Sequence, residues 1–263
     1  MTYRVTFQRV IHSEWTKIRS LRSSWIVLGA AAIVTVALAA AFGYGFGQRV
    51  RAGEIAATPA DLVNATFLGF DLFSLVVGVF AALQLSGEYG SGLIRASLTA
   101  VPRRWPLLAA KAVVLVAVTA PLSLAVCLAS FLACRLCAGD TGTSIGDPGV
   151  LRAVLGAAAY PVASGLIGLG VGALVRNIAG SVTVFVAGYL FIPAILPAAL
   201  PQRIQDDTLR YLPIAAGQAV YAMSRDSGPV RLLSPAAGGL VLTAWVLAIL
   251  AGGALVLHRR DAG

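Results

Sequence analysis

Between Trp25 and Gly47 the chain carries no Asp, Glu, Lys or Arg, and the same condition recurs down to its last residues. A helix needs about 20 mostly apolar residues to cross the hydrocarbon of a bilayer. Six blocks are long enough: about 25–47, 62–86, 112–134, 153–175, 177–202 and 236–257. Five of them hold no charged residue, and the second holds one, Asp71. In lipid, every backbone N–H and C=O must bond within the protein, so a spanning block is a helix or part of a closed barrel. The alternation that marks barrel strands is missing here. The blocks therefore predict an all-α integral membrane protein with six transmembrane helices in one domain over 25–257. An arm at 1–24 precedes it and a tail at 258–263 follows. The triplet Ala39, Ala40, Ala41 resembles a signal-cleavage site, but its block is longer than a signal core and follows a polar arm, so an uncleaved anchor is expected.

Composition narrows the function. The chain is 58% hydrophobic and 12% charged, where a soluble domain carries roughly a quarter charged residues. Its net charge of +9 does not point to nucleic acid, because no basic helix with interleaved aromatics lies outside the apolar blocks. The basic residues instead gather in alternate connections. Arg4, Arg9, Lys17, Arg19 and Arg22 lie in the arm, and Arg95, Arg103, Arg104 and Lys111 follow the second block. Arg176 follows the fourth, and Arg259 and Arg260 the last. The opposite connections carry arginines that are nearly balanced by acids. By the positive-inside rule both termini are expected in the cytoplasm, against an anionic leaflet.

Catalytic signatures are lacking. No GxxxxGK[ST] occurs, and with His12 and His258 the only histidines there is no HExxH. Cys134 and Cys137 form a lone CxxC without the further ligands that zinc takes. No serine has an identifiable base. The chain is expected to bind no cofactor or metal itself and to catalyse no reaction.

Four features remain as candidates for function. The arm places Phe7, Ile11, Ile18, Leu21 and Trp25 near one helical face, the pattern of an amphipathic helix lying at the interface. After the second block, Ile94, Leu98, Val101 and Trp105 recur at helical spacing, Ser91 is placed to cap and Pro102 to stop, which predicts a short helix of about 16 Å. Asp71 lies about 22 Å by helical rise from the cytoplasmic end of its block. It is expected to face the bundle interior, an aqueous cavity or the outer headgroups, as part of a conduit or a helix-pairing contact. Gly43 and Gly47, and Ser164, Gly168 and Gly172, recur every four residues and predict close helix packing, within the subunit or across a dimer. The stretch from Asp206 to Ser227 is expected to form short external helices against or within the outer leaflet.

Together these features resemble the permease subunits of type-2 ATP-binding cassette (ABC) exporters, particularly actinobacterial ones. The resemblance rests on SEWTKIRSLRSSW before the first block, GEYGSGLIRASLTAVPRRWPLLAAK after the second and RYLPIAAGQAV before the last. It implies a bacterial plasma-membrane protein in which two permeases pair with two copies of a separately encoded cytoplasmic ATPase. ATP and magnesium belong to that partner, and the cargo is a hydrophobic or amphiphilic compound. It also implies that the connection after span two holds a coupling helix, with Glu88 at the position of the family's acidic residue. Glu88, Tyr89, Arg95, Arg103 and Arg104 then become the candidates for coupling. Asp71 matches no family pattern. The competing expectation is a membrane anchor or sensory scaffold that recruits a cytoplasmic partner without moving cargo.

Overall fold

The computed structural model describes residues 6–56, 58–91, 104–139, 143–199, 201, 205, 207–225 and 231–259. Most of the helix expected after Ser91, with Arg95 and Arg103, lies outside them, as does the Arg104 side chain.

Helix α1 (Phe7–Ser20) meets α2 (Arg22–Arg51), the first crossing, through the single residue Leu21. The second crossing starts as α3 (Pro59–Phe67) and continues as α4 (Phe70–Gly90). Thr58 caps its start by accepting from the Asp61 N–H at 3.2 Å, and Pro59 fills the first turn, where no intrahelical donor is needed. The third crossing, α5 (Arg104–Ala138), begins well before the expected Ala112, so Lys111 lies inside a helix instead of a connection. Next come α6 (Val150–Val175), α7 (Ile178–Val186), a π-helical turn (Ala187–Phe191) and α8 (Ile192–Ala199). A short 3₁₀ turn (Leu209–Tyr211) and α9 (Pro213–Tyr221) precede α10 (Pro235–Arg259). Among the described residues, six segments are long and apolar enough to cross a membrane.

Prolines act differently along the bundle. Helices α5 and α6 run on through Pro121 and Pro161. In the fifth crossing the helix widens into the π turn just ahead of Pro193, which has no N–H for the Tyr189 carbonyl. Between α6 and α7 the chain reverses in two residues. Arg176 adopts a left-handed conformation (φ 60°), and Asn177 then caps α7 by accepting from the Gly180 N–H at 2.9 Å.

Helix α6 forms the centre of the bundle, with 67% of its most apolar stretch buried, against 17% in the fifth crossing and 22% in the first and last. It packs on α4 through small residues. A Cβ at Gly168 would overlap the Gly78 carbonyl and one at Gly172 the Ala82 carbonyl, while Ser164 Oγ donates to the Ser74 carbonyl at 2.8 Å. Gly43 and Gly47 lie equally close to the carbonyls of Cys134 and Ala138, joining α2 to α5. These approaches lie within one chain. They bring backbones together where lipid supplies no hydrophobic drive for helix association.

The arm and the segment before the last crossing make specific contacts. The stripe of α1 that is buried consists of Val10, Glu14 and Ile18, whereas Phe7, Leu21 and Trp25 are exposed. A charged residue can hold the inner face because buried cations meet it there. Helix α9 is packed into the end of the bundle against α6 and α10, with Ala215, Ala216, Gly217, Ala219 and Tyr221 buried. Arg152 holds its C-terminus, donating to the carbonyls of Val220 at 2.8 Å and Ala222 at 2.9 Å.

Candidate functional site

Glu88 stands near the C-terminal end of α4, where the second crossing runs into the connection after Ser91. It is 7% exposed and, among the described residues, sits in a ring of four charges. Lys17 Nζ lies 2.6 Å from Glu14 Oε1 and 2.7 Å from Glu88 Oε1. Lys111 Nζ lies 2.5 Å from Glu14 Oε2 and 2.7 Å from the same Glu88 Oε1. Glu14 and Lys17 come from α1, Glu88 from α4 and Lys111 from α5, so one cluster of alternating charge pins the arm to the second and third crossings. Glu14 and Lys111 are as buried as Glu88, while Lys17 keeps about a third (34%) of its side chain exposed.

The cluster explains why lysine stands at these positions. The chain has eighteen arginines and only two lysines, and both lysines are here. An ammonium is compact and has three donors, so it fits between two carboxylates where a planar guanidinium would force them apart. Burial opposes the charge of Lys17, but hydrogen bonds and attraction from Glu14 and Glu88 outweigh it and raise its pKa above the ordinary lysine value. Glu88 Oε2 is buried and has no hydrogen-bond partner among the described residues.

Beside the cluster, a groove of about 830 Å³ opens between the start of α2 and the face of α4. Its rim carries Lys17, Ser20, Ser24, Glu88 and Ser91, and its wall includes Val27, Val79 and Leu83. The connection of interest departs from this rim.

Tyr89 belongs to a neighbouring tie. The Arg176 guanidinium lies 5.4 Å from the centre of its ring and donates through Nη2 to the Val256 carbonyl at 2.6 Å. The α6–α7 turn is thereby joined to the ends of both α4 and α10. Of the expected coupling residues, Glu88 lies in the ion cluster and Tyr89 against Arg176, while Arg95, Arg103 and the Arg104 side chain lie outside the described residues.

Asp71 is at the other end of α4. It accepts from Gln218 Nε2 of α9 at 2.7 Å and forms part of the wall of a separate chamber of about 360 Å³. It is thus bonded to the neighbouring short helix α9. Behind it the hydroxyls of Tyr160 and Tyr189 bond to each other.

Sequence reasoning missed Glu14, Lys17 and Lys111 as a unit. Along the chain Glu14 is a single acid in a basic arm, and the lysines mark only the topology. Their rarity among so many arginines was the available signal.

Six apolar crossings, small-residue seams between them and an ion cluster fastening an amphipathic arm define a multi-pass helical membrane protein whose arm is mechanically joined to its bundle. The ABC-2 family transporter protein family matches residues 10–200, and the chain belongs to that family. It is thus a membrane permease component of an ABC transporter, and membership implies an ATP-hydrolysing partner component. Comparison with curated proteins gives no match.

Proposed function

We propose that the chain is the membrane subunit of an ATP-driven exporter in a bacterial plasma membrane, with both termini in the cytoplasm. A separately encoded cytoplasmic ATPase pair binds ATP and magnesium, and two permeases form the pathway for a hydrophobic or amphiphilic cargo. This chain contributes no catalysis. The ATPases press on the connection after Ser91 and on the arm, and the bundle changes between two packings that the nucleotide state biases.

The observation that carries this reading is the ring of Glu14, Lys17, Glu88 and Lys111. A force on α1 or on the end of α4 reaches α5 through these pairs, because separating them would leave buried charges without partners. Glu88 then acts by holding the connection to the arm, and surfaces beyond it meet the ATPase.

The test uses the permease co-expressed and purified with the ATPase encoded beside it, reconstituted in vesicles. Glu88→Gln is expected to leave membrane insertion and co-purification intact while lowering cargo-stimulated ATP hydrolysis and outward flux several-fold. Unchanged stimulation and flux would remove the coupling role. Binding of a cytoplasmic partner with neither stimulation nor flux would replace the exporter reading with that of a scaffold.

A further inference from the structure

The chamber at the Asp71 end of α4 is built for one kind of ligand. Its apolar wall includes Phe67, Leu68, Leu209, Leu212 and Ile214, and its volume of about 360 Å³ falls at the small end of the usual range for ligand sites. Asp71 is the sole charged residue among the described lining residues. Gln218 donates to Oδ2 and the Tyr160 hydroxyl also lies within reach of the carboxyl group, while Oδ1 is buried with no well-aligned hydrogen bond among the described residues. Arg210, next to the lining residue Leu209, pairs with Asp207 at 2.8 Å and lies over the Tyr211 ring, with its Nε unbonded among the described residues. Asp71 is also the second residue of α4, where the helix N-terminus favours a negative charge. An incompletely satisfied carboxylate in an apolar chamber repels anions and gains nothing from a neutral hydrocarbon. It gains a charge-assisted hydrogen bond from an ammonium. Phe67 and Tyr221, edge to face at 5.6 Å, add aromatic rings that also favour a cation.

We infer that this chamber is a binding site for a cationic amphiphile, a compact apolar body bearing a protonated amine that pairs with Asp71. As a statement about cargo it rests on the permease reading; as a binding site it stands apart from it. The amine has two possible sources, a small soluble amphiphile or the headgroup of an aminophospholipid.

The experiment takes the full chain in phosphatidylcholine nanodiscs and measures saturable binding of radiolabelled 1-adamantylamine, with 1-adamantanol as the neutral isostere. The amine is expected to bind about tenfold or more tighter than the alcohol, as one hydrogen bond to a charged group provides. Asp71→Asn should erase that preference and leave alcohol binding in place. Ala222→Trp, which adds bulk to the chamber wall and leaves the carboxyl group in place, should weaken both ligands. Displacement of the probe by phosphatidylethanolamine added to the disc would assign the amine to lipid; no displacement would assign it to the soluble compound, and either result supports the site. Equal binding of amine and alcohol to the native chain, or an amine preference that survives Asp71→Asn, would overturn it. Should the preference fail while ATPase association and flux persist, this inference falls and the exporter reading stands. Amine binding without ATPase association would mean the reverse.

Discussion

Lys111 Nζ lies 2.5 Å from Glu14 Oε2, joining the third crossing to an arm that precedes the first. Both groups are nearly inaccessible to water, so the pair holds only while all four members of its ring are in place. A buried ion pair is weak evidence for stability as such, since well-packed apolar residues often serve as well. Its consequence is that no member can be removed alone without loss.

Replacing Lys111 with Met leaves Glu14 and Glu88 facing each other with only Lys17 between them. The expected loss is about 3–5 kcal/mol, the usual result of orphaning a buried charge. It should appear as a lower midpoint in thermal unfolding of the purified protein followed by size-exclusion fluorescence. A midpoint within experimental scatter of the native one would show that the ring bears little strain-free energy.

Lys111→Arg, conservative in charge, should behave nearly as badly as Lys111→Met, because the planar fork cannot occupy the space of an ammonium between two carboxylates. Lys17→Arg should be tolerated better, since Lys17 is partly open to solvent. Equal midpoints for the two arginine variants would contradict this account.

Lys17 sets an alkaline limit on the docked arm. Its pKa is raised above the ordinary 10.5, so the folded state keeps its proton longer than the unfolded chain does. Its contribution is fully present below about pH 10.5 and is lost as pH rises through the higher folded value. Fluorescence of Trp15, exposed on α1, should report an alkaline release of the arm, with the Lys17 part absent in Lys17→Met. Release beginning at neutral pH would contradict the direction of the shift.

Gly168→Ala should separate α6 from α4, because the new Cβ meets the Gly78 carbonyl. Overpacking of this kind costs about 1–3 kcal/mol. Gly29→Ala, with nothing within 4 Å of the added carbon, should be neutral or should stabilise α2 by up to about 1 kcal/mol. The two unfolding midpoints should therefore move in opposite directions or differ clearly in size; equal losses would mean that backbone flexibility, and not space, sets the effect.

The apolar blocks and the spacing of small residues were legible in the sequence because each is a local property. Trp25 to Gly47 is apolar whatever it packs against, and Gly168 and Gly172 share a helical face by geometry alone. The inner face of the arm was not legible. Hydrophobic periodicity marks Phe7 and Leu21 as part of an interfacial face, and the structure leaves them exposed while turning Glu14 inward. The fate of Glu14 depends on Lys111, which no local pattern links to it. Asp71 was recognisable as an unusual residue, but its bond to Gln218 joins two distant segments and could not be read along the chain.

The sequence by itself determined the solvent of this protein, the number of its crossings and the closeness with which some of them can pack, since bilayer thickness and backbone satisfaction leave an apolar chain few alternatives. Only the tertiary structure decided how its few charges are used. Four of them close into a ring at one end of α4, and Asp71 faces an apolar chamber at the other. Charge pairing depends on distance in space, and residues far apart in sequence reach that distance only after the helices have packed.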